Sequence, residues 1–328
     1  MNRNLKLITL KNSNGVEVDI INFGCIITSL RVPDKEGDLV NVVVGLSSPE
    51  DYLKKEYQSK AIYLGATIGR YAGRISSGSF SIDENKYNLQ NENGVHLHGG
   101  KEGFDKKIWN IEDYKENKSV TFSYLSKDGE EGYPGNLKVK ATFELLKSNS
   151  LKITYKAETD KATPVNLTTH PYFNLNGRGS ILKHDLEILS DAYLEVDKHL
   201  VPSGKKIGSK NTRFDFNEKS KIGRKDFKGL DDAFILREDK LRVATLFSEE
   251  SGIKMQVFTN QPAMVVYTNP KFPEFSFADN AEYYDFPSIC FEPQNYPDAP
   301  NQSSFPNSIL KPGETYLNEI IYKFGVKS

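Results

Sequence analysis

Proton chemistry near neutral pH falls to the five histidines of this sequence: His96, His98, His170, His184 and His199. Imidazole is the side chain whose unperturbed pKa, about 6.5, suits proton transfer there. Two stretches concentrate it with other useful groups. His96-Leu97-His98-Gly99-Gly100 sets two imidazoles two residues apart, so that in a strand both would face one side. The glycines let a ligand or a neighbouring backbone come close. Asn166-Leu167-Thr168-Thr169-His170-Pro171-Tyr172-Phe173-Asn174-Leu175 is the second. Pro171 keeps His170 out of the α region, and the flanking Asn and Thr groups are placed to fix its tautomer by hydrogen bonding.

Carboxylates and one arginine complete the set. In Ser288-Ile289-Cys290-Phe291-Glu292-Pro293-Gln294, Glu292 ends an apolar run, which points it into or beside the core. Burial there would raise its pKa and make it a better base. Gly229-Leu230-Asp231-Asp232-Ala233-Phe234 offers paired acids among apolar residues. Tyr71-Ala72-Gly73-Arg74-Ile75 holds a guanidinium, a planar fork suited to oxygen ligands, close to glycine backbone. These residues support an acid–base pair acting on a neutral polyol or acid, with no cofactor. They do not name the substrate.

The elements that must position these groups read as strands. Leu137, Val139, Ala141, Phe143 and Leu145 alternate with polar or small neighbours, as do Leu151, Ile153, Tyr155 and Ala157. Val120, Phe122 and Tyr124, then Ile253, Met255 and Val257, repeat the pattern. Period two makes half-buried strands. Turn signals separate them: Asn14-Gly15, Pro33 to Gly37, Asp83-Glu84-Asn85 and Glu116-Asn117-Lys118. The 17 tyrosines and 19 phenylalanines favour strands too. A short helix is expected over Ser48 to Glu56, with Ser48 as cap and Pro49 first. Many strands at short spacing with few helical patterns make the fold class all-β, a sandwich or a barrel, with residues 1–328 forming one domain, since no linker, repeat or composition shift divides them.

Composition narrows the function. The 43 basic and 44 acidic residues leave a net charge of −1, so no global pull toward nucleic acid or a membrane surface exists. Two cysteines, Cys25 and Cys290, rule out a disulfide framework or a cysteine-built zinc site, and are expected in the core. Apolar runs fall short of the roughly 20 residues of a membrane helix, and Met1 to Leu10 is too short and polar for a signal peptide. The expected location is cytoplasmic. No G-x-S-x-G elbow, P-loop or H-E-x-x-H helix occurs, and Gly177-Arg178-Gly179 lacks the third glycine of a dinucleotide loop.

Taken together and in order, these stretches resemble the aldose 1-epimerase (galactose mutarotase) family. Gly69-Arg70-Tyr71-Ala72-Gly73-Arg74-Ile75 is similar to its G-R-x-A-N-R-I. Leu97-His98-Gly99-Gly100, then Gly103-Phe104-Asp105-Lys106 and Trp109, resemble L-H-G-G, G-F-D-K and W. Asp128 to Gly135 reads D-G-E-E-G-Y-P-G, and Thr169 to Leu175 resembles N-H-x-Y-F-N-L. Glu292-Pro293-Gln294 with Pro297-Asp298-Ala299 resembles E-T-Q and P-D-A, and Pro312 to Tyr316 resembles P-G-E-x-Y. Each is weak alone; six in order argue against coincidence. The resemblance implies a large antiparallel β-sandwich, the mutarotase-like supersandwich with few short helices, and interconversion of the α and β anomers of free aldoses such as galactose and glucose. It implies Glu292 as general base on the C1 hydroxyl and His170 as general acid on the ring oxygen. Arg74, His98 and Asp231 would hold sugar hydroxyls. A small aldose is the implied partner, with no cofactor, no metal, no nucleic acid and no membrane, in a monomer or homodimer.

Departures fall near the sugar. Gly73 replaces an Asn, Thr169 replaces an Asn, Asp232 stands where His or Asn is usual, and Val265 where relatives often carry Gln. The family's Y-T-G-N-F becomes Tyr267-Thr268-Asn269-Pro270-Lys271. They bear on sugar preference more than on reaction type. Four other readings compete. A hexose-6-phosphate epimerase needs a cationic cluster. A cupin-like metalloenzyme would use His96, His98 and Glu102. A non-catalytic sugar-binding sandwich would not need both His170 and Glu292. A glycosidase would pair Asp231 with Glu292.

Overall fold

A computed structural model describes residues 4–225, 227–239 and 242–326. Alternation becomes strand as expected. Leu137–Leu146 and Ser150–Thr159 bury every second side chain and pair over their full length. They lie in a nine-stranded sheet whose order is Asn110–Lys115, Ser119–Ser126, Leu137–Leu146, Ser150–Thr159, Tyr316–Val326, Ile253–Thr259, Arg242–Phe247, Asp185–Ile188 and Ser220–Lys221. The C-terminal strand thus closes the centre of this sheet, antiparallel to both neighbours.

A six-stranded sheet packs against it, ordered Tyr172–Phe173, Ser288–Gln294, Ala263–Asn269, Asp231–Leu236, Ser190–Val196 and Pro202–Gly208. Ile289, Phe291, Met264, Val266, Phe234 and Leu236 point inward and join Phe143, Ile153, Met255, Val257 and Tyr322 in one core. Tyr322 fixes the two sheets together, donating its hydroxyl to the Phe291 carbonyl at 2.8 Å. Burying each such side chain contributes about 1.5–3 kcal/mol. A four-stranded sheet, Leu7–Lys11 to Leu39–Asn41, adds Leu10, Val18, Ile20 and Leu30 to the same core. The architecture is all-β as period two predicts, and of the two forms left open it is the antiparallel sandwich that the resemblance implies. Both cysteines are free and buried. Among the described residues no helix is long and apolar enough to cross a membrane.

The helix expected over Ser48 to Glu56 is instead two short pieces, a 3₁₀ turn Pro49–Leu53 and an α turn Lys55–Gln58, divided at extended Lys54. The reason is packing. Tyr52 and Tyr57 both enter one core cluster and meet edge to face at 5.1 Å, but positions five apart do not share a helix face. Ser48 is the N-cap and Pro49 opens the first turn as expected, and Asp51 accepts the Ser48 N–H at 3.2 Å.

Two histidines belong to this framework. His184 is fully buried and its Nε2 accepts the Leu175 N–H at 3.1 Å, so that nitrogen must stay unprotonated. Burial, with Lys221 nearby, pulls its pKa down to about 4. Burial does the same to His96. The unfolded chain protonates these groups below about 6.5 while the folded one does not until about 4. Stability is therefore full above pH 6.5 and lost as pH falls toward 4, by on the order of 3 kcal/mol for each such histidine. Denaturant unfolding at pH 7 and pH 4.5 checks this, and His184→Gln should flatten part of the fall. Equal stability at both values would refute it.

Candidate active site

The outward face of the six-stranded sheet carries the other half of each alternation. Asp231 and Ala233, Val265 and Tyr267, and Glu292 and Gln294 all open on one cavity of about 170 Å³. This is below the ~300–1,000 Å³ of drug-sized ligands, so it suits a small compact molecule. Register sets their neighbours: Asp231 lies opposite Tyr267, and Val265 opposite both Ala233 and Glu292.

The same register brings His170 to Glu292. Tyr172 pairs antiparallel with Cys290, so two residues back on one strand faces two residues on along the other. His170 Nε2 lies 3.4 Å from Glu292 Oε1, with both groups almost fully buried. The imidazole stacks on Tyr172 at 5.0 Å and is ringed by Tyr63 and Tyr267. Burial first, then the negative Asp231, pushes the Glu292 carboxyl well above its ordinary pKa, while Arg74 opposes the rise. Burial pulls His170 down to about 4. The flanking Asn and Thr side chains do not hold the ring as expected. Asn166 donates to the Ala72 and Asn295 carbonyls, and Thr168 to Pro293. They tie strands together instead.

Arg74 and His98 arrive on a two-stranded ribbon. Arg74–Ser76 pairs with Val95–Leu97, placing Arg74 opposite Leu97. His98 Nδ1 accepts the Gly73 N–H at 3.2 Å, so its other nitrogen carries the proton. Burial, then His170 and Arg74, keep this imidazole neutral by lowering its pKa. Arg74 Nη2 sits 3.8 Å from Asp231 Oδ2. Burial raises the Asp231 pKa, and Arg74 opposes it.

Two expectations are corrected by backbone geometry. His96 and His98 do not share a face, because the strand stops at Leu97 and His98 turns to φ +51. His96 is structural: Nδ1 bonds the Gln90 carbonyl and Nε2 bonds the Tyr133 hydroxyl. With both nitrogens used, the His96, His98 and Glu102 metal site does not form. Instead His98, His170 and Glu292 each place a ligating atom within 4.8 Å of the others. A tetrahedral zinc would need such atoms about 3.3 Å apart. Likewise Asp231 and Asp232 are not a paired acid site. They alternate across the sheet, and Asp232 turns back to accept the Asp231 N–H at 3.0 Å.

Sequence reasoning named Arg74, His98, His170, Asp231 and Glu292, and the fold gathers all five around this cavity. It missed Tyr63, which carries no local signal, and Gln294, which the two-residue spacing from Glu292 could have revealed. It also missed what holds the His-Gly-Gly loop. Glu131 accepts the Lys101 and Glu102 N–H groups, each at 3.1 Å. Buried Arg70 bonds the Pro134 and Gly135 carbonyls at 2.9 and 3.0 Å.

A buried carboxyl–imidazole pair thus stands on the outward face of the smaller sheet, in a cavity lined by a guanidinium, a carboxylate and a second imidazole. The sequence profile described as aldose 1-epimerase matches residues 6–323. The galactose mutarotase of Rattus norvegicus is 40% identical over 324 residues, covering 96% of this chain and 92% of the rat protein. The aldose 1-epimerase of Escherichia coli is 35% identical over 335 residues, covering 97% and 95%. The galactose 1-epimerase structure from Lactobacillus acidophilus superposes with a TM-score of 0.86 at 30% identity, over 100% of this chain and 96% of that one. An aldose epimerase homologue from C. elegans reaches 0.91 at 28% identity, over 99% and 100%. The chain belongs to the aldose 1-epimerase family.

Gly99 is the hinge of the His98 loop. It has φ +87, and a Cβ there would stand 1.8 Å from the Gly69 carbonyl oxygen. Gly99→Ala is expected to cost more than ~2 kcal/mol and to weaken ligand binding by displacing His98. Urea unfolding of the variant checks it; a loss under ~0.5 kcal/mol would show that the loop packs differently.

Proposed function

We propose that this chain is a cofactor-independent isomerase that interconverts the α and β anomers of free aldoses such as galactose and glucose. The observation that carries the reading is the His170–Glu292 contact at 3.4 Å inside a small polyol-sized cavity. Glu292 as carboxylate takes the proton from the C1 hydroxyl. His170 as imidazolium gives a proton to the ring oxygen. The C1–O5 bond breaks, C1 becomes a carbonyl, the C1–C2 bond rotates, and the reverse steps close the ring on the other face. The proton count on the pair never changes. Ring opening converts an ion pair into a neutral acid and a neutral imidazole, which is the form burial favours.

Arg74, Asp231 and His98 orient the sugar in this reading. His98 acts as a neutral donor, and the Arg74–Asp231 pair offers charge-assisted bonds to hydroxyls. A sugar phosphate is disfavoured, because Arg74 alone among the described Lys and Arg residues lines the cavity and already faces Asp231. A glycosidase is disfavoured because the close partner of Glu292 is an imidazole, while Asp231 faces Arg74. A mere binder has no use for a buried acid–base pair. Every group invoked comes from one chain, so a monomer or homodimer serves equally. Residues 1–328 as one domain in the cytoplasm complete the reading.

Polarimetry on freshly dissolved α-D-galactose and α-D-glucose tests this. Wild type should speed equilibration, and Glu292→Gln and His170→Asn should each lose about 10²–10⁴-fold with the fold intact. Near wild-type rates in either variant would remove that residue from the mechanism. Activity should hold through neutrality and fall as pH drops toward about 4, where His170 binds a second proton into the pair. It should fall again only above the raised value of Glu292.

A further inference from the structure

Gln294 is another polar residue lining this cavity, and none of the described residues uses its amide. The side chain is fully buried, yet neither Oε1 nor Nε2 has a hydrogen-bond partner. Buried amides are ordinarily bonded, and leaving one unmade is costly. Gln294 lies two residues beyond Glu292 on the same strand face, opposite Ala263, whose methyl offers it nothing. Its other neighbour across the cavity wall is Gly73. A Cβ on Gly73 would stand 3.4 Å from Gln294 Nε2 and 3.0 Å from the Pro297 Cβ. Glycine therefore puts no side chain beside the amide where both residues line the cavity.

We infer that Gln294 is a substrate-binding residue whose amide grips a hydroxyl pair of the aldose, beside the reacting C1 end held by Glu292. The amide is the right chemistry for that ligand. It offers a donor and an acceptor side by side, which matches neighbouring hydroxyls that each do both. It carries no charge, so it adds affinity for a neutral polyol without favouring an anion. The inference rests on the aldose reading above. It adds a contact that the reacting pair and the Arg74–Asp231–His98 group do not supply.

The distinctive consequence is a split between stability and binding. A buried amide waiting for ligand weakens the free protein, so an apolar replacement of like shape should not. Gln294→Met should melt at the wild-type temperature or higher. It should raise KM about 3- to 10-fold for galactose with kcat within about 2-fold. Direct binding of galactose, read by protein-observed NMR, should weaken by the same factor. Gln294→Asn, with the amide drawn back by one methylene, should fall between the two. In wild type, one monodeoxy galactose should bind more weakly, and Gln294→Met should not weaken that analogue further. Unchanged binding in Gln294→Met would overturn the inference, as would a lower melting temperature with kcat and KM both impaired. Binding separates it from the function proposed above. A wild type that binds galactose through Gln294 without speeding mutarotation would keep this contact and discard the catalytic reading. A wild type that catalyses while Gln294→Met binds unchanged would do the reverse.

Discussion

Moving a carboxylate from water to a site 1% exposed costs several kcal/mol unless it is paired or protonated. Glu292 sits in such a site, with His170 as its near partner and one oxygen left without a bond. The sandwich is arranged to make this tolerable. Ile289 and Phe291 on the same strand enter the main core, and Tyr322 donates to the Phe291 carbonyl from the opposite sheet. The strand is held on both edges, by Tyr172–Phe173 and by Ala263–Asn269. Because the backbone cannot slide, Glu292 cannot turn out to solvent without reversing the face of Ile289 and Phe291 as well. The Glu292 carboxyl stays dry because the core needs its neighbours to be dry.

A second polar cost is met in the loops. Arg70 is buried at 2% exposure, and burial pulls its pKa down to about 10. Its guanidinium spends itself on the carbonyls of Pro134 and Gly135 and the hydroxyl of Ser126. That stitches the Asp128–Gly135 turn under the His-Gly-Gly loop, and Glu131 then caps the loop from outside. The His98 loop is thus braced in part by residues that do not line the cavity, while Gly73 on its wall bonds the ring itself. A backbone at φ +51 is strained for histidine, and this scaffold is what holds it there.

The sequence exposed the parts of the molecule that repeat and hid the parts that turn. Leu137 to Leu145 and Leu151 to Ala157 alternate cleanly because one face meets the core, so their strands were legible. The burial of Glu292 was legible for the same reason, from the apolar run ahead of it. His96 and His98 misled because the alternation stops at Leu97, and one residue of left-handed backbone sends the second imidazole elsewhere. Asp231 and Asp232 read as a pair, but adjacent strand residues face opposite ways. The helix at Ser48 to Glu56 failed because Tyr52 and Tyr57 both demand the same core. Ordered motifs pointed to the five site residues, though only register explains why they converge: the Tyr172–Cys290 pair sets His170 against Glu292.

The departures from the family pattern now have positions. Gly73 and Val265 lie on the cavity wall, while Asp232 faces away and Thr169 pairs through its strand with Thr67. None alters the His170–Glu292 contact. Of the Tyr267 to Lys271 stretch only Tyr267 reaches the cavity. One stretch of the wall, Val196, Leu200, Pro202 and Ala233, is apolar. An apolar wall discriminates weakly between isomers that differ in one hydroxyl, since an added hydroxyl facing it loses only a water contact. Strong discrimination has to come from polar groups left unpaired by the wrong sugar. In this cavity the polar lining residues available for that, beside His170 and Glu292, are the Arg74–Asp231 pair, His98, Gln294, Tyr63 and Tyr267. Under the proposed function, reaction type rests on His170 and Glu292 and sugar choice on these other groups, so the second can change without disturbing the first.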